Sequence, residues 1–267
     1  MNLPTTYAHY RHGQNVYQRI KAKHYFDPRY IDLYNIGVHG PDIVFYYHVY
    51  NPADLSRIGY AMHHEYGDQL FARFKDIWSH HDDPQAAKAY LCGFICHYAL
   101  DSIEHPVVYH YQHDQHLTHS GIEAALDRWL LKYDGIVDPT KYDLTRHIHP
   151  SLDVSKVIAP FFDPFTPQQI YTALKSQVRV HQLLHCESDL KRQSLRLITS
   201  IPKSKFVRDL IMTKDDDPQF KPAVDDLLKH WNHAIDRAEL CIGNYMDILN
   251  GQTTKYIDAF HHDFEEN

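Results

Sequence analysis

Apolar residues along the chain recur at i, i+3 and i+4 rather than in alternation, and no two segments read as paired strands, so the pattern predicts a mainly α-helical protein. A first helix starts behind a Thr5 or Thr6 cap and runs to about Lys23, with Tyr7, Tyr10, Val16, Tyr17 and Ile20 along its apolar side. Asp27-Pro28 opens a short helix that stops at Gly37, and Gly37-Val38-His39-Gly40-Pro41-Asp42 reads as a loop that carries Asp42. Residues 43–50 are aromatic and fit either a strand or the start of a buried helix. Residues 53–79 read as helix with a break near Gly67, followed by a polar loop at His80-His81-Asp82-Asp83.

The next segment runs from Pro84 to about Tyr109, with a bend at Pro106, and its middle, Tyr90 to Ile103, is apolar nearly all round. A helix apolar on every face belongs at the centre of the molecule. Another helix covers about 120–133 and is closed by Asp134-Gly135. Further helical patterns lie near 153–161, 167–186, 188–199, 218–247 and 254–264, punctuated by Pro160, Pro164, Pro167, Pro202 and Pro218. With no repeat and no long linker, the reading is a single domain over 1–267, in which 150–267 is helical scaffold.

Composition narrows the chemistry. Of 267 residues, 43% are hydrophobic and 23% charged, ordinary globular usage, and no apolar run approaches the roughly 18 residues that would cross a membrane. Lys+Arg 27 against Asp+Glu 34 leaves −7, which opposes long nucleic acid as a partner. Met1 to Gly13 shows no basic start leading to an apolar core, so the expectation is a cytoplasmic location without a signal peptide. Four cysteines are too few for a disulfide framework, and Cys92 and Cys96 read as buried thiols on one helix face. Histidine stands out: 23 in the chain, far above ordinary usage.

In the central helix His97, Asp101 and His105 are spaced i, i+4, i+8. Each four-residue step turns only about 40°, so the three share one stripe. Two imidazoles and a carboxylate buried together need partners, and a metal ion satisfies all of them. The N and O donor set suits zinc. His119 and Glu123 repeat the i, i+4 device on the next helix, with Asp127 continuing the stripe. Upstream lie His9 on the first helix, Asp42, and His63-His64-Glu65 on a third helix. Together with His97, Asp101, His105, His119 and Glu123 they could aim eight ligands at one cavity, more than the about three that one catalytic zinc takes, which points to two or three ions.

The other histidines lack this context. His80, His81, His147, His149, His261 and His262 read as solvated, and the pairs His181/His185 and His230/His233 have no matching carboxylate stripe. His110, His113 and His116 fit either solvated side chains or a rim of the same cleft. Phe45-Tyr46-Tyr47 fits core packing, with a cation–π clasp for a choline-like head group as the second reading.

Taken in order, Thr5-Thr6-Tyr7-Ala8-His9, Gly40-Pro41-Asp42, Met62-His63-His64-Glu65, Cys96-His97-Tyr98-Ala99-Leu100-Asp101 with His105-Pro106, and His119-Ser120-Gly121-Ile122-Glu123 with Asp127 resemble the zinc-dependent phospholipase C family over about residues 5–133. The resemblance implies an all-α, multi-helix bundle around a di- or trinuclear zinc cluster. It implies that His97 and the bridging Asp101 serve a two-metal pair, with His63, taken over His64, a further ligand and Asp42 a ligand or the water-activating carboxylate. His105, His119 and Glu123 then resemble the ligands of the remaining zinc, and His9 the ligand near the N-terminus. The chain departs from the secreted members in opening Met1-Asn2-Leu3 where they present a zinc-binding Trp, in the three-residue gap between Asp101 and His105, and in showing no membrane-docking β-domain.

The expected activity is hydrolysis of a phosphodiester substrate, lipid-like or small and soluble. Paired zinc ions lower the pKa of a water and neutralise phosphoryl charge, and Asp42 orients or deprotonates that water. The alternatives are a zinc-dependent nuclease acting on single strands and a non-catalytic, metal-binding structural protein. Nothing in the sequence sets an oligomeric state.

Overall fold

A computed structural model describes residues 5–48, 55, 57–186, 188–199 and 208–265, and every regular element among the described residues is helical. The first helix, α1 (Tyr7–Ile20), tightens into a 3-10 turn at Lys21–Lys23. Thr6 precedes it but does not cap it. Its hydroxyl donates instead to the Leu144 carbonyl, and Asp127 accepts the N–H groups of Thr6, Tyr7 and Ala8 at 3.3, 3.0 and 2.7 Å. The carboxylate that continued the histidine stripe in the sequence is therefore a helix cap supplied from another helix. Burial pushes its pKa up to about 7 despite those three donors.

The short helix α2 (Ile31–Gly37) ends where expected, but the Gly-Pro segment is not an open loop: Gly40–Tyr46 is a buried 3-10 stretch that includes Asp42. Helices α3 (Arg57–His63) and α4 (Gly67–Ser79) show the break expected near Gly67. Residues 49–54, where one sequence segment was expected to end and the next helix to begin, and Pro202 lie outside the described residues.

The apolar middle of the chain forms α5 (Pro84–Gln115), started by Asp83, which accepts the Ala86 N–H, and by Pro84 in the first turn. Residues 90–105 are buried without interruption. The helix runs past its expected end at Tyr109, with Pro106 inside it and His116 in the left-handed region closing it. Burial of Val108 and Tyr111 beyond the proline offsets the one backbone hydrogen bond that Pro106 removes.

Helices α6 (His119–Tyr133), α7 (Leu152–Ile158), α8 (Pro167–Leu184), α9 (Asp189–Ile198) and α10 (Lys221–Leu249) follow among the described residues. α1, α2, α4, α6, α7 and α10 pack directly on α5, while α3 and α8 cover the 3-10 stretch that holds Asp42. One hydrophobic cluster extends from Tyr7 to Phe264 through all of these, and all four cysteines are free and buried, as expected. The expected helix at 254–264 is reduced to a single 3-10 turn, Asp258–Phe260, with irregular chain, a bend and a turn around it. No helix among the described residues is long and apolar enough to cross a membrane.

Close contact between α2 and α5 depends on two glycines. A Cβ on Gly93 would lie 2.1 Å from the Tyr34 carbonyl oxygen, and one on Gly37 would lie 2.3 Å from that of Tyr90. Both obstacles are backbone, so neither can swing aside. Gly93→Ala is expected to lower folding stability by about 1–3 kcal/mol, as overpacking of a tight contact does. Chemical denaturation checks this, and an unchanged midpoint would show that the helices can part without cost.

Candidate metal centre

The stripe of α5 delivers its three side chains to one place. Asp101 is only 4% exposed, and four imidazoles aim a ring nitrogen at its carboxylate: His97 at 3.0 Å, His9 and His63 at 3.6 Å, and His105 at 3.7 Å. His9 comes from the buried side of α1, stacked on His97 with ring centroids 4.5 Å apart. His63 comes from the last residue of α3, and its Nε2 lies 3.4 Å from Asp42 Oδ1. His119 and Glu123, one turn apart on α6, meet at 2.8 Å, and the His105 and His119 rings stand 5.2 Å apart.

These donors fall into three groups, His9/Asp42/His97, His63/His97/Asp101 and His105/His119/Glu123, and within each group the ligand atoms all lie within 4.8 Å of one another. All eight residues singled out in the sequence are thus brought together. His63 is buried among the other donors, whereas the His64 side chain is 58% exposed beside Glu265. Gly40 makes room for this arrangement. It has φ +47°, and a Cβ there would lie 2.3 Å from His97 Cδ2.

Two observations test whether the residues fit zinc. His63, His105 and His119 each engage Nδ1 with an acceptor, the Gly59 carbonyl at 2.7 Å, the Phe264 carbonyl at 3.1 Å and Gln112 Oε1 at 3.2 Å, which fixes the tautomer that leaves Nε2 free to ligate. Conversely, Nδ1 of His97 and of His9 is buried with no hydrogen-bond partner, and His97 Nε2, although 3.0 Å from Asp101, makes no aligned hydrogen bond. Orphaned imidazoles beside carboxylates are costly unless a cation joins them. The donor set fits zinc.

The groups open onto a cleft of about 240 Å³ whose walls include Phe45, Tyr60, Tyr109 and Gln112, with Glu265 also lining it. Tyr109 and Gln112 went unremarked in the sequence although they extend the α5 stripe beyond His105 by four and seven residues. His110 and His113 point to solvent with Asp114, so they do not rim the cleft. Phe45 lines the cleft and Tyr46 is wholly buried, its hydroxyl 2.9 Å from His181 Nε2. His147, expected in solvent, is buried 2.8 Å from His39 and stacked on Tyr10. Its loop context hid the packing, and burial pushes its pKa down to about 3.

Charge in the zinc-free centre is carried by protons. Burial opposes ionisation of Asp101, but the imidazoles of His97, His105 and His9 outweigh it and hold the carboxyl well below its usual range. Burial also disfavours charge on His63, yet hydrogen bonding to Asp101 and Asp42 raises its pKa to about 10. Burial lowers His9 and His105, whereas the carboxylates raise His97 and His119. The His63 ion pair therefore stabilises the zinc-free chain below the ordinary histidine pKa and is lost as pH rises through about 10. Zinc requires neutral imidazole, so binding at pH 7 must expel that proton. Calorimetric titration with zinc in buffers of different ionisation enthalpy is expected to show release of at least one proton per chain, and no release would contradict ligation at His63.

Residues 8–175, well over half of the chain, match the family model described as Zinc dependent phospholipase C. No curated protein and no solved structure gives a significant match. The matched stretch contains all eight donors, and the chain belongs to the zinc-dependent phospholipase C family.

Proposed function

We propose that the protein is a zinc-dependent phosphoesterase that hydrolyses a phosphodiester in the cleft between α3, α5 and α6. The observation that carries this reading is that three donor groups, two of which share His97, meet beside one cleft, which Asp42, His63, Asp101, His105, His119 and Glu123 line. Three or fewer protein donors per ion leave coordination positions for substrate and water, which is the mark of a catalytic rather than a closed structural site. His9, His63, His97, His105, His119, Glu123, Asp101 and Asp42 would hold two or three zinc ions. Bound zinc supplies Lewis-acid neutralisation of phosphoryl charge and acidifies water.

The chain's own residues supply the rest. Asp42 is both buried and on the cleft wall, with an oxygen 3.4 Å from His63 Nε2, and is placed to orient the attacking water and take its proton. Burial opposes ionisation of Asp42, but the imidazoles of His97 and His63 keep its pKa below the ordinary carboxylate value, so it is an available base at neutral pH. Asp101, held in place by α5, neutralises and spaces the imidazoles rather than meeting substrate. Phe45, Tyr60 and Tyr109 exclude water from the walls and suit a lipid-like or small organic phosphodiester. A net charge of −7 and the carboxylates in the cleft oppose a polyanionic strand, which places a nuclease role second.

Turnover of a chromogenic phosphodiester is expected to vanish with a strong chelator and return with added zinc. Asp42→Asn should lower kcat by about 10²–10⁴-fold, the usual worth of a positioned base. Its melting temperature in the zinc-loaded state should stay close to that of the parent. An active Asp42→Asn protein would remove Asp42 from the reaction, and a zinc-loaded parent without turnover would favour a non-catalytic metal-binding role.

A further inference from the structure

The eight donors lie within the stretch that matches the family, yet residues 258–265, far outside it, pack against them, and Glu265 lines their cleft. This segment is docked by its backbone. The Gly67 N–H donates to the His262 carbonyl at 2.8 Å, and the Tyr98 hydroxyl reaches the carbonyls of both Ala259 and His262, at 2.8 and 2.9 Å. Phe260 is wholly buried and stacked on Tyr98, with ring centroids 5.7 Å apart. Farther along, the Phe264 N–H donates to the His63 carbonyl at 3.1 Å, and the Phe264 carbonyl accepts from His105 Nδ1 at 3.1 Å. The buried Phe264 ring lies 5.1 Å from the His63 ring and 5.8 Å from that of His97. Glu265 closes the sequence of contacts at the cleft, accepting from the Tyr109 hydroxyl at 2.9 Å.

We propose that residues 258–265 are a positioning strap that completes the metal centre, with Phe264 as the residue through which it acts. The inference rests on the reading of the donors as a zinc site. The Phe264 carbonyl orients the His105 ring so that its Nε2 faces the cleft, and the Phe264 side chain fills the space behind His63 and His97. One residue thereby braces histidines from all three donor groups, since His97 belongs to two of them. After the 3-10 turn the chain does not continue as an α-helix, so the carbonyls of His262 and Phe264 meet the Gly67 N–H and the side chains of Tyr98 and His105 instead of being directed along a helix axis. Partners that hold a ligating histidine by its second nitrogen strengthen its metal binding and fix its geometry.

Two variants test the strap at different distances from the donors. Phe264→Ala removes the brace itself. Tyr98→Phe keeps the core ring but loses the hydroxyl that anchors the Ala259 and His262 carbonyls, and it touches no donor. Competition against a chromogenic zinc chelator is expected to show that the most weakly held ion binds about 10–100-fold less tightly in Phe264→Ala and is weakened in the same direction in Tyr98→Phe. The drop in melting temperature relative to the parent should be larger in the zinc-loaded than in the zinc-free protein, because a mere packing role lowers both equally. Phe264→Tyr should restore the parent's affinity. Should Phe264→Ala fail to fold, Tyr98→Phe decides the matter alone.

Unchanged zinc affinity, or equal loss of melting temperature in both states, overturns the strap. A parent that binds zinc but shows no phosphodiester turnover, with Phe264→Ala still losing the ion, sinks the enzymatic reading and leaves the strap standing. A parent that binds no zinc overturns both.

Discussion

The site depends on one carboxylate buried among four imidazoles. Asp101 on α5 cannot be left ionised and unpaired in a core, because the desolvation cost of a lone buried charge is far larger than any single contact in the fold. The chain answers by bringing His9, His63, His97 and His105 to within 3.7 Å of it from three different helices. This solves the charge problem only if cations are added, either as protons, as the raised His63 and His97 pKa values indicate, or as metal. The two solutions are mutually exclusive at each nitrogen, which ties metal occupancy to pH throughout the neutral range.

Such a cluster needs a rigid platform, since a donor displaced by a fraction of an ångström loses its geometry. The platform is α5, buried along residues 90–105 and held against α2 by the Gly37–Gly93 contact. Asp127 serves the same end from α6 by capping the start of α1, the helix that carries His9. A buried carboxylate on α6 would be a liability in isolation; as the acceptor of three otherwise orphaned N–H groups it fixes where α1 begins and hence where the His9 ring points.

Much of this was legible in the sequence because it is local. The i, i+4, i+8 spacing of His97, Asp101 and His105 is a property of one helix, and so is the spacing of His119 and Glu123. What escaped was long-range. Asp127 looks like one more donor on its stripe until α1 arrives to use its oxygens. Gly37 looks like a helix terminator, and its contact with Gly93 shows only when two helices cross. Residues 254–264 carry a helical pattern of apolar residues, but Phe260 and Phe264 are spent instead on packing against Tyr98 and the histidines, and the backbone forms only one 3-10 turn. His147 sits in a loop whose polarity suggests solvent, and its burial against Tyr10 and His39 depends on partners more than 100 residues away.

The chemistry follows from adding an open cleft to this cluster. Carboxylates and imidazoles that balance one another around metal do no work if sealed, but Asp42, His63, Asp101, His105, His119 and Glu123 all reach the same opening. The most direct measurement is the metal content of the purified protein after growth and purification without chelator, determined by elemental analysis against protein concentration. Two or three zinc ions per chain are expected; a protein that folds to full stability with no bound metal would contradict the central claim that these buried donors exist to hold zinc.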